Sequence, residues 1–88
     1  MYKILFSRKA ENHKSLLKQA KLDKKAKNLL DIIAVEPFKT PPSYEKLIGE
    51  LNGVYSRRIN HRHRLVYTVD EANAEIFILS MWMHYEDI

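Results

Sequence analysis

The chain is organised around residues 55–67, which read YSRRINHRHRLVY from Tyr55 to Tyr67. Two runs rich in strand-forming residues flank a turn at residues 60–62. Between Arg57 and Arg64, eight positions hold four arginines and two histidines. Cations that face each other across a strand pair repel, so this charge works against folding of the hairpin. We therefore expect this end of the hairpin to bind an anion.

Further strands are predicted on both sides of this hairpin. Residues 47–51 and 54–59 are strand candidates around Asn52-Gly53, the dipeptide that most favours a type I′ turn because both residues tolerate positive φ. Residues 63–69 and 74–83 continue the pattern, with a turn between them. The second half of the chain is therefore predicted to form an antiparallel meander.

The first half of the chain has a helical periodicity instead. Residues 2–6 are a short apolar run that predicts a first strand, and Ser7 is placed to cap the helix that follows. Apolar residues recur at near-helical spacing over 8–20 and over 22–33, and Pro37 ends the second helix. Two helices joined so closely are expected to form a hairpin on one face of a sheet.

Residues 38–43 hold two adjacent prolines, which remove two backbone donors, and this segment is predicted to be an irregular crossover from helices to sheet. The predicted fold class is α+β. Its order is β-α-α-β-β-β-β, with two helices packed on one face of an antiparallel sheet.

Composition limits the function. A chain of 88 residues is expected to form one domain, 1–88, that buries only about 60% of its unfolded surface, so any active site is a shallow cleft. The 45% of hydrophobic residues against 30% charged indicates a globular protein. The absence of cysteine excludes disulfides and thiolate–metal sites and fits a reducing compartment. With neither an apolar run of membrane-spanning length nor a start resembling a signal peptide, we expect a cytoplasmic protein.

The formal net charge of +4 favours a polyanionic partner, with a solvated lysine face as the alternative. Metal binding by the four histidines is not expected, because no pair has the i, i+4 spacing of helical metal sites.

Hairpin geometry predicts which residues meet. If the first hairpin turns at 52–53, positions that sum to about 105 face each other, which places Glu45 near Asn60. The turn at 60–62 places Arg58 nearly opposite Arg64 at the same end.

The last strand then runs back toward this end and brings His84 and Tyr85 with it. Such a set suits metal-free cleavage of an RNA phosphodiester: a base deprotonates the 2′-hydroxyl, a fixed cation stabilises the phosphorane, and an acid protonates the leaving 5′-oxygen. Arginine suits the middle role because its planar fork meets phosphate bidentately. Tyr85, or Trp82, could stack on a splayed base.

These residues also carry a family resemblance. The run Ser56–Ile59, three residues, then His63–Tyr67 and the late pair His84-Tyr85 resemble the YoeB (Txe/YoeB) branch of the RelE/ParE toxin superfamily. The likeness includes Glu45-Lys46-Leu47 ahead of the predicted turn.

The resemblance implies a small α+β toxin without a cofactor that enters the ribosomal A site and cleaves mRNA. It assigns the general base to Glu45, the general acid to His84 and phosphate stabilisation to Arg64. Tyr85 is implied to be required and Arg58 to be a second active-site arginine. The implied partners are a YefM-type antitoxin, whose disordered C-terminal segment wraps the toxin, and a second copy of the chain in a homodimer.

Two positions depart from the family pattern. Position 48 is basic in some relatives and is Ile48 here, so one RNA contact is absent or supplied by Lys46. The chain also continues past the His-Tyr pair with Glu86–Ile88, whose acidic residues should repel RNA unless they point away.

The remaining basic and aromatic residues have structural interpretations. Arg57 should project to the face opposite Arg58 and act as a structural ion-pair partner. His63 should pack or form hydrogen bonds on the face away from Arg64, and His13 should be a satisfied core histidine. His61 and Arg62 are expected in an exposed turn, and residues 81–83 are expected to pack.

The competing function is a non-enzymatic one, either a ParE-like toxin that inhibits a topoisomerase by binding or a nucleic-acid-binding module. The set Glu45, Arg64 and His84 discriminates between them, since a toxin that only binds needs neither an acid nor a base.

Overall fold

The computed structural model describes residues 1–49 and 53–82. The helices are α1 (Arg8–Gln19) and α2 (Asp23–Val35). The strands, in chain order, are β1 (Lys3–Phe6), β2 (Glu45–Lys46), β3 (Val54–Arg58), β4 (Arg64–Asp70) and β5 (Glu75–Ser80). The predicted α+β class and the order β-α-α-β-β-β-β are confirmed.

Ser7 begins α1 as the sequence predicts. Its Oγ accepts a hydrogen bond from the backbone N–H of Ala10 at 2.9 Å and donates one to the carbonyl of Leu79 at 2.9 Å. The cap therefore satisfies a free donor of the first helical turn and also ties α1 to the end of β5. At the other end of the helix pair, α2 stops at Val35, two residues before Pro37, because the residue preceding a proline is disfavoured in helical geometry.

The five strands form one sheet in the order β1-β5-β4-β3-β2. The neighbours from β2 to β5 are antiparallel, as predicted, whereas β1 runs parallel to β5, so the sheet is mixed and the prediction of an antiparallel sheet is wrong for β1. β5 therefore lies between two strands, which agrees with its largely apolar sequence on both faces.

The two faces of the sheet differ. The helices cover one face, the helix-covered face, where the main core joins residues of both helices to Leu65, Tyr67, Ile76 and Ile78. The other face, the open face, has a smaller apolar cluster made of Leu47, Val54 and Val66 with Leu79 against it. Successive strand residues alternate between the two faces.

The first hairpin differs from its prediction. β2 consists of Glu45 and Lys46, so the predicted strand 47–51 is wrong over the part that the structure describes. Glu45 pairs with Ser56, and the N–H of Leu47 donates to the carbonyl of Val54 at 2.9 Å. The predicted pairing of Glu45 with residue 60 is therefore wrong.

The reason is the length of the connection after Leu47. Gly53 has the positive φ expected of a turn, +89°, but Gly49 also has a positive φ of +73°, and Ile48 is 85% exposed. The chain thus leaves the strand at Ile48, and the next strand begins only at Val54, so the two strands are not joined by a two-residue turn at 52–53. Asn52 lies outside the described residues.

Candidate active site

A carboxylate and a guanidinium meet on the open face. Nη2 of Arg64 donates to Oε1 of Glu45 at 3.0 Å, and Nε of Arg64 donates to Oγ of Ser56 at 2.5 Å. The Arg64 side chain is 8% exposed and that of Glu45 is 52% exposed. The buried guanidinium of Arg64 is thus held in place by Ser56, whereas the Glu45 carboxylate remains accessible to solvent.

Strand register explains why these side chains meet. Glu45 pairs with Ser56 across β2 and β3, and Arg58 pairs with Arg64 across β3 and β4. The alternation of side chains in strands then sends all four to the open face. Arg64 and Glu45 come together as the sequence analysis expected, although through a different register from the one predicted.

Arg58 lies directly across from Arg64 and is exposed. Side chains directly opposite in an antiparallel pair have Cβ atoms about 5 Å apart, so these two cations repel. Glu45 offsets one of the two charges, which leaves this group of three with one positive charge. Such a group favours a bound anion, and two guanidinium groups can present donors to one phosphate.

Ser56 is a site residue that the sequence analysis did not single out. Its side chain is fully buried and accepts the Arg64 Nε hydrogen bond. The available signal was its parity, because Ser56 lies two residues before Arg58 in the same strand and so shares its face.

Other predicted contacts lie elsewhere. Lys46 is exposed and pairs with Tyr55, so alternation turns it away from the face that holds Glu45 and Arg64. Arg57 projects away from Arg58, as predicted, and is fully buried. Among the described residues it bonds to backbone carbonyls and to the Tyr67 hydroxyl rather than to a carboxylate, so the predicted ion pair is wrong.

His63 packs as predicted. Its ring stacks on Trp82 with centroids 3.9 Å apart and an angle of 19° between the planes. Burial lowers the pKa of His63, and the charges of Arg62 and His61 lower it further. Trp82 thus has one ring face occupied by His63, which leaves less of it for a nucleotide base.

His13 is a satisfied core histidine, also as predicted. Its Nδ1 accepts the backbone N–H of Met81 at 3.1 Å, and Met81 itself is 1% exposed. Burial lowers the pKa of His13, with further lowering from Lys9 and His63. His13 and His63 therefore both fix the chain just after β5.

The predicted residues His84 and Tyr85 lie outside the described residues, as do Met83 and the Glu86–Ile88 extension. Trp82 is the last described residue, and it lies beside His63, the residue that precedes Arg64. His61 and Arg62 are exposed in the turn between β3 and β4, as expected.

A groove of about 360 Å³ opens beside Arg58. The groove lies between α2 and the end of β3, on the helix-covered side of the sheet, where Lys25 supplies positive charge and Asn28 an amide, while Leu29, Ile32 and Ile59 form an apolar floor. Cations beside apolar surface suit a single-stranded nucleic acid, whose phosphates and bases need both.

Within 1–49 and 53–82, no helix is long and apolar enough to cross a membrane.

The fold and the site together define a class of small bacterial toxins. A crystal structure of the heterotetrameric YoeB–YefM toxin–antitoxin complex from Staphylococcus aureus matches with a TM-score of 0.80 and 41% identity, covering 97% of this chain and 99% of that one. The structure of a YoeB dimer from the same organism matches with a TM-score of 0.81 and 41% identity, covering 96% and 98%.

Sequence comparison gives the family. Residues 6–85 match the model of the YoeB-like toxin of bacterial type II toxin-antitoxin systems. Toxin YoeB of Synechocystis sp. is 41% identical over 76 residues, which cover 86% of this chain and 79% of the relative. The chain therefore belongs to the YoeB-like toxin family.

Proposed function

We propose that this toxin is a ribosome-dependent mRNA endonuclease that inhibits translation in the cytoplasm. The observation that carries the proposal is the bond between the accessible carboxylate of Glu45 and the held guanidinium of Arg64, with Arg58 alongside. A protein that only binds its target needs cations there. The nearby carboxylate instead supports acid–base chemistry.

The proposed reaction is a metal-free transesterification. A phosphate that enters the site competes with Glu45 for the Nη atoms of Arg64, while Ser56 retains Nε. Glu45 then takes the proton of the ribose 2′-hydroxyl, and the 2′-oxygen forms a bond to phosphorus. The bond from phosphorus to the 5′-oxygen breaks, and the leaving oxygen takes a proton from His84. The products are a 2′,3′-cyclic phosphate and a 5′-hydroxyl.

The two arginines have different parts in this scheme. Arg64 is held by Glu45 and Ser56, so its donors are preorganised where negative charge develops on the phosphorane. Arg58 is exposed on the open face across from Arg64, so it binds a phosphate next to the scissile one. Tyr85 stacks on a base beside the scissile bond, and Lys46 makes at most a peripheral RNA contact because it lies on the other face.

The proposed partners follow from the relatives. A YoeB of 41% identity is found in a complex with YefM and, separately, as a dimer. We extend both to this chain: a YefM-type antitoxin silences it, and a homodimer is its free form.

The test is to map mRNA 5′ ends on purified ribosomes with and without the protein. We expect new ends at A-site codons with wild type, and a cleavage rate lower by about 100-fold or more with Glu45→Gln and His84→Gln. Glu71→Gln, which alters an exposed carboxylate in the turn after β4, is the matched control and should cleave normally. If both site variants stop growth as wild type does and no A-site ends appear, the toxin acts by binding, and assays of DNA supercoiling would then identify a ParE-like target.

A further inference from the structure

Arg57 is a fully buried cation whose partners all lie on the helix-covered face. Its Nε donates to the Tyr67 hydroxyl at 3.0 Å. One terminal nitrogen donates to the carbonyl of Pro42 at 2.6 Å, and the other donates to the carbonyls of Pro37 at 3.0 Å and Lys39 at 2.8 Å. The Tyr67 hydroxyl in turn donates to the Pro37 carbonyl at 2.9 Å.

These bonds determine the shape of one segment. Residues 37–42 contain no helix or strand, so their carbonyls have no regular backbone partner. A buried guanidinium is costly unless its donors are satisfied, and here carbonyls of that segment satisfy most of them. Burial raises the pKa of Tyr67, which keeps its hydroxyl protonated and able to donate. The segment and the cation therefore depend on each other.

The segment leads directly to the proposed base. The ring of Tyr44 lies 5.9 Å from that of Phe38 and 5.9 Å from that of Tyr55, and the Arg57 guanidinium carbon lies 5.0 Å from the Tyr44 ring centre. Tyr44 is thus packed on the helix-covered side. Since neighbouring side chains of an extended chain point to opposite sides, the next residue, Glu45, is directed to the open face.

We propose that Arg57 is the positioning residue for Glu45. It holds residues 37–42 and Tyr44 on one side of the sheet so that the carboxylate reaches Arg64 on the other. Glu45 lies in a strand of only two residues and is half exposed, so strand pairing alone gives it little support. This inference rests on the proposed function, because it assigns a role relative to the base of that reaction.

The experiment is a double-mutant cycle on RNA cleavage at saturating ribosome concentration. Arg57→Lys keeps the charge but cannot present the same fork of donors to three carbonyls. Misplacing a catalytic group by about 1 Å can cost about 100-fold in rate, so we expect the cleavage rate to fall about 10- to 100-fold with ribosome affinity within about twofold of wild type. In a Glu45→Gln background the same Arg57→Lys change should lower the rate further by less than about twofold, since residues that act through one group are not additive.

Controls separate positioning from general loss of stability. Leu17→Ala destabilises the core at a buried residue of α1 that is not a partner of Arg57, and it should lower the free energy of unfolding without changing the rate per folded molecule. If Arg57→Lys does not fold, Tyr67→Phe takes its place, since it removes one acceptor and one donor of the same network. Tyr67→Phe should lower the cleavage rate by a smaller factor, and it should have no further effect on the rate in the Glu45→Gln background.

The possible results distinguish this inference from the function on which it rests. If Glu45→Gln lowers the wild-type rate about 100-fold or more, but Arg57→Lys folds and keeps the wild-type rate, the positioning role is overturned and the proposed function stands. A loss that persists undiminished in the Glu45→Gln background also overturns it. If the wild type and Glu45→Gln behave alike, both proposals fall.

Discussion

The hydroxyl of Ser56 lies 2.5 Å from Nε of Arg64, so a side chain of β3 holds the guanidinium that begins β4. Both residues are buried, with Ser56 fully enclosed. A hydrogen bond to a charged group contributes about 1.5–3 kcal/mol, more than a neutral one. Ser56 therefore limits the orientations open to Arg64 before any phosphate arrives.

Ser56→Ala should lower the cleavage rate about 10- to 100-fold, because an Arg64 that can rotate is no longer preorganised for the phosphorane. Single-turnover cleavage on ribosomes measures this, with Ser15→Ala as the control, since Ser15 is exposed on α1. A wild-type rate in a folded Ser56→Ala protein would contradict the role given to Ser56.

Arg64→Lys should be more harmful than Arg58→Lys. Lysine keeps the charge but has no planar fork, and among the residues that the structure describes Arg64, unlike Arg58, donates to two side chains at once. We expect the cleavage rate to fall at least about 100-fold for Arg64→Lys, as for loss of a preorganised donor, and less than about tenfold for Arg58→Lys. Equal losses in both variants would show that the two arginines share one role.

Lys25→Ala should weaken RNA binding in a salt-dependent way. If Lys25 contacts a phosphate in the groove beside Arg58, its removal reduces the slope of log affinity against log salt by about 0.7, the value for one contact on a single strand. Fluorescence anisotropy with a Glu45→Gln toxin, which should cut too slowly to change the probe during the measurement, gives the slope from low to moderate salt. Lys18→Ala, on the exposed side of α1, should leave the slope unchanged.

The free energy of unfolding should fall in mild acid. Burial, with the charges of Lys9 and His63, lowers the pKa of His13 from its ordinary 6.5, so the unfolded chain binds a proton more readily than the folded one. The stabilisation is fully present above pH 6.5 and is lost as the pH falls through the lowered value of the folded state. The decrease is at most about 1.4 kcal/mol per pH unit for each proton bound.

Urea denaturation between pH 7.5 and 5.5 tests this dependence. In His13→Asn, an amide oxygen can accept the hydrogen bond of the Met81 N–H without titrating, so the free energy of unfolding should depend less steeply on pH. We assign the pH dependence that remains to His63, whose pKa is also lowered. Gln19→Ala changes an exposed, non-titrating residue of α1 and should keep the wild-type slope. An unchanged slope in His13→Asn would refute the assignment to this histidine.

Local rules predicted most of the fold. Periodicity located both helices, the Ser7 cap and Pro37 gave their limits, and the pairing of Arg58 with Arg64 followed from the short turn at residues 60–62. These features depend on neighbours within a few residues, so the sequence contains the information directly.

The features that were missed depend on distant contacts or on loop length. A favourable turn dipeptide could not reveal that β2 ends at Lys46, and this moved the partner of Glu45 to Ser56. The carbonyls that accept hydrogen bonds from Arg57 lie 15 to 20 residues earlier in the chain, in a segment whose shape no local pattern specifies. The convergence of Glu45 with Arg64 was nevertheless predicted, because both registers leave Glu45 near the arginine end.

Ser56, Arg57 and Arg58 alternate between the two faces of one strand, and this arrangement makes β3 intolerant of changes in length. Inserting or deleting a single residue within Val54–Arg58 would move each residue beyond the change to the opposite face of the sheet. The guanidinium of Arg57 would then lie on the open face and that of Arg58 in the core. In a library of single-residue insertions, the fraction of clones that fold and are toxic should therefore be lowest for insertions within β3. Insertions in the exposed turn at residues 71–74 should be tolerated.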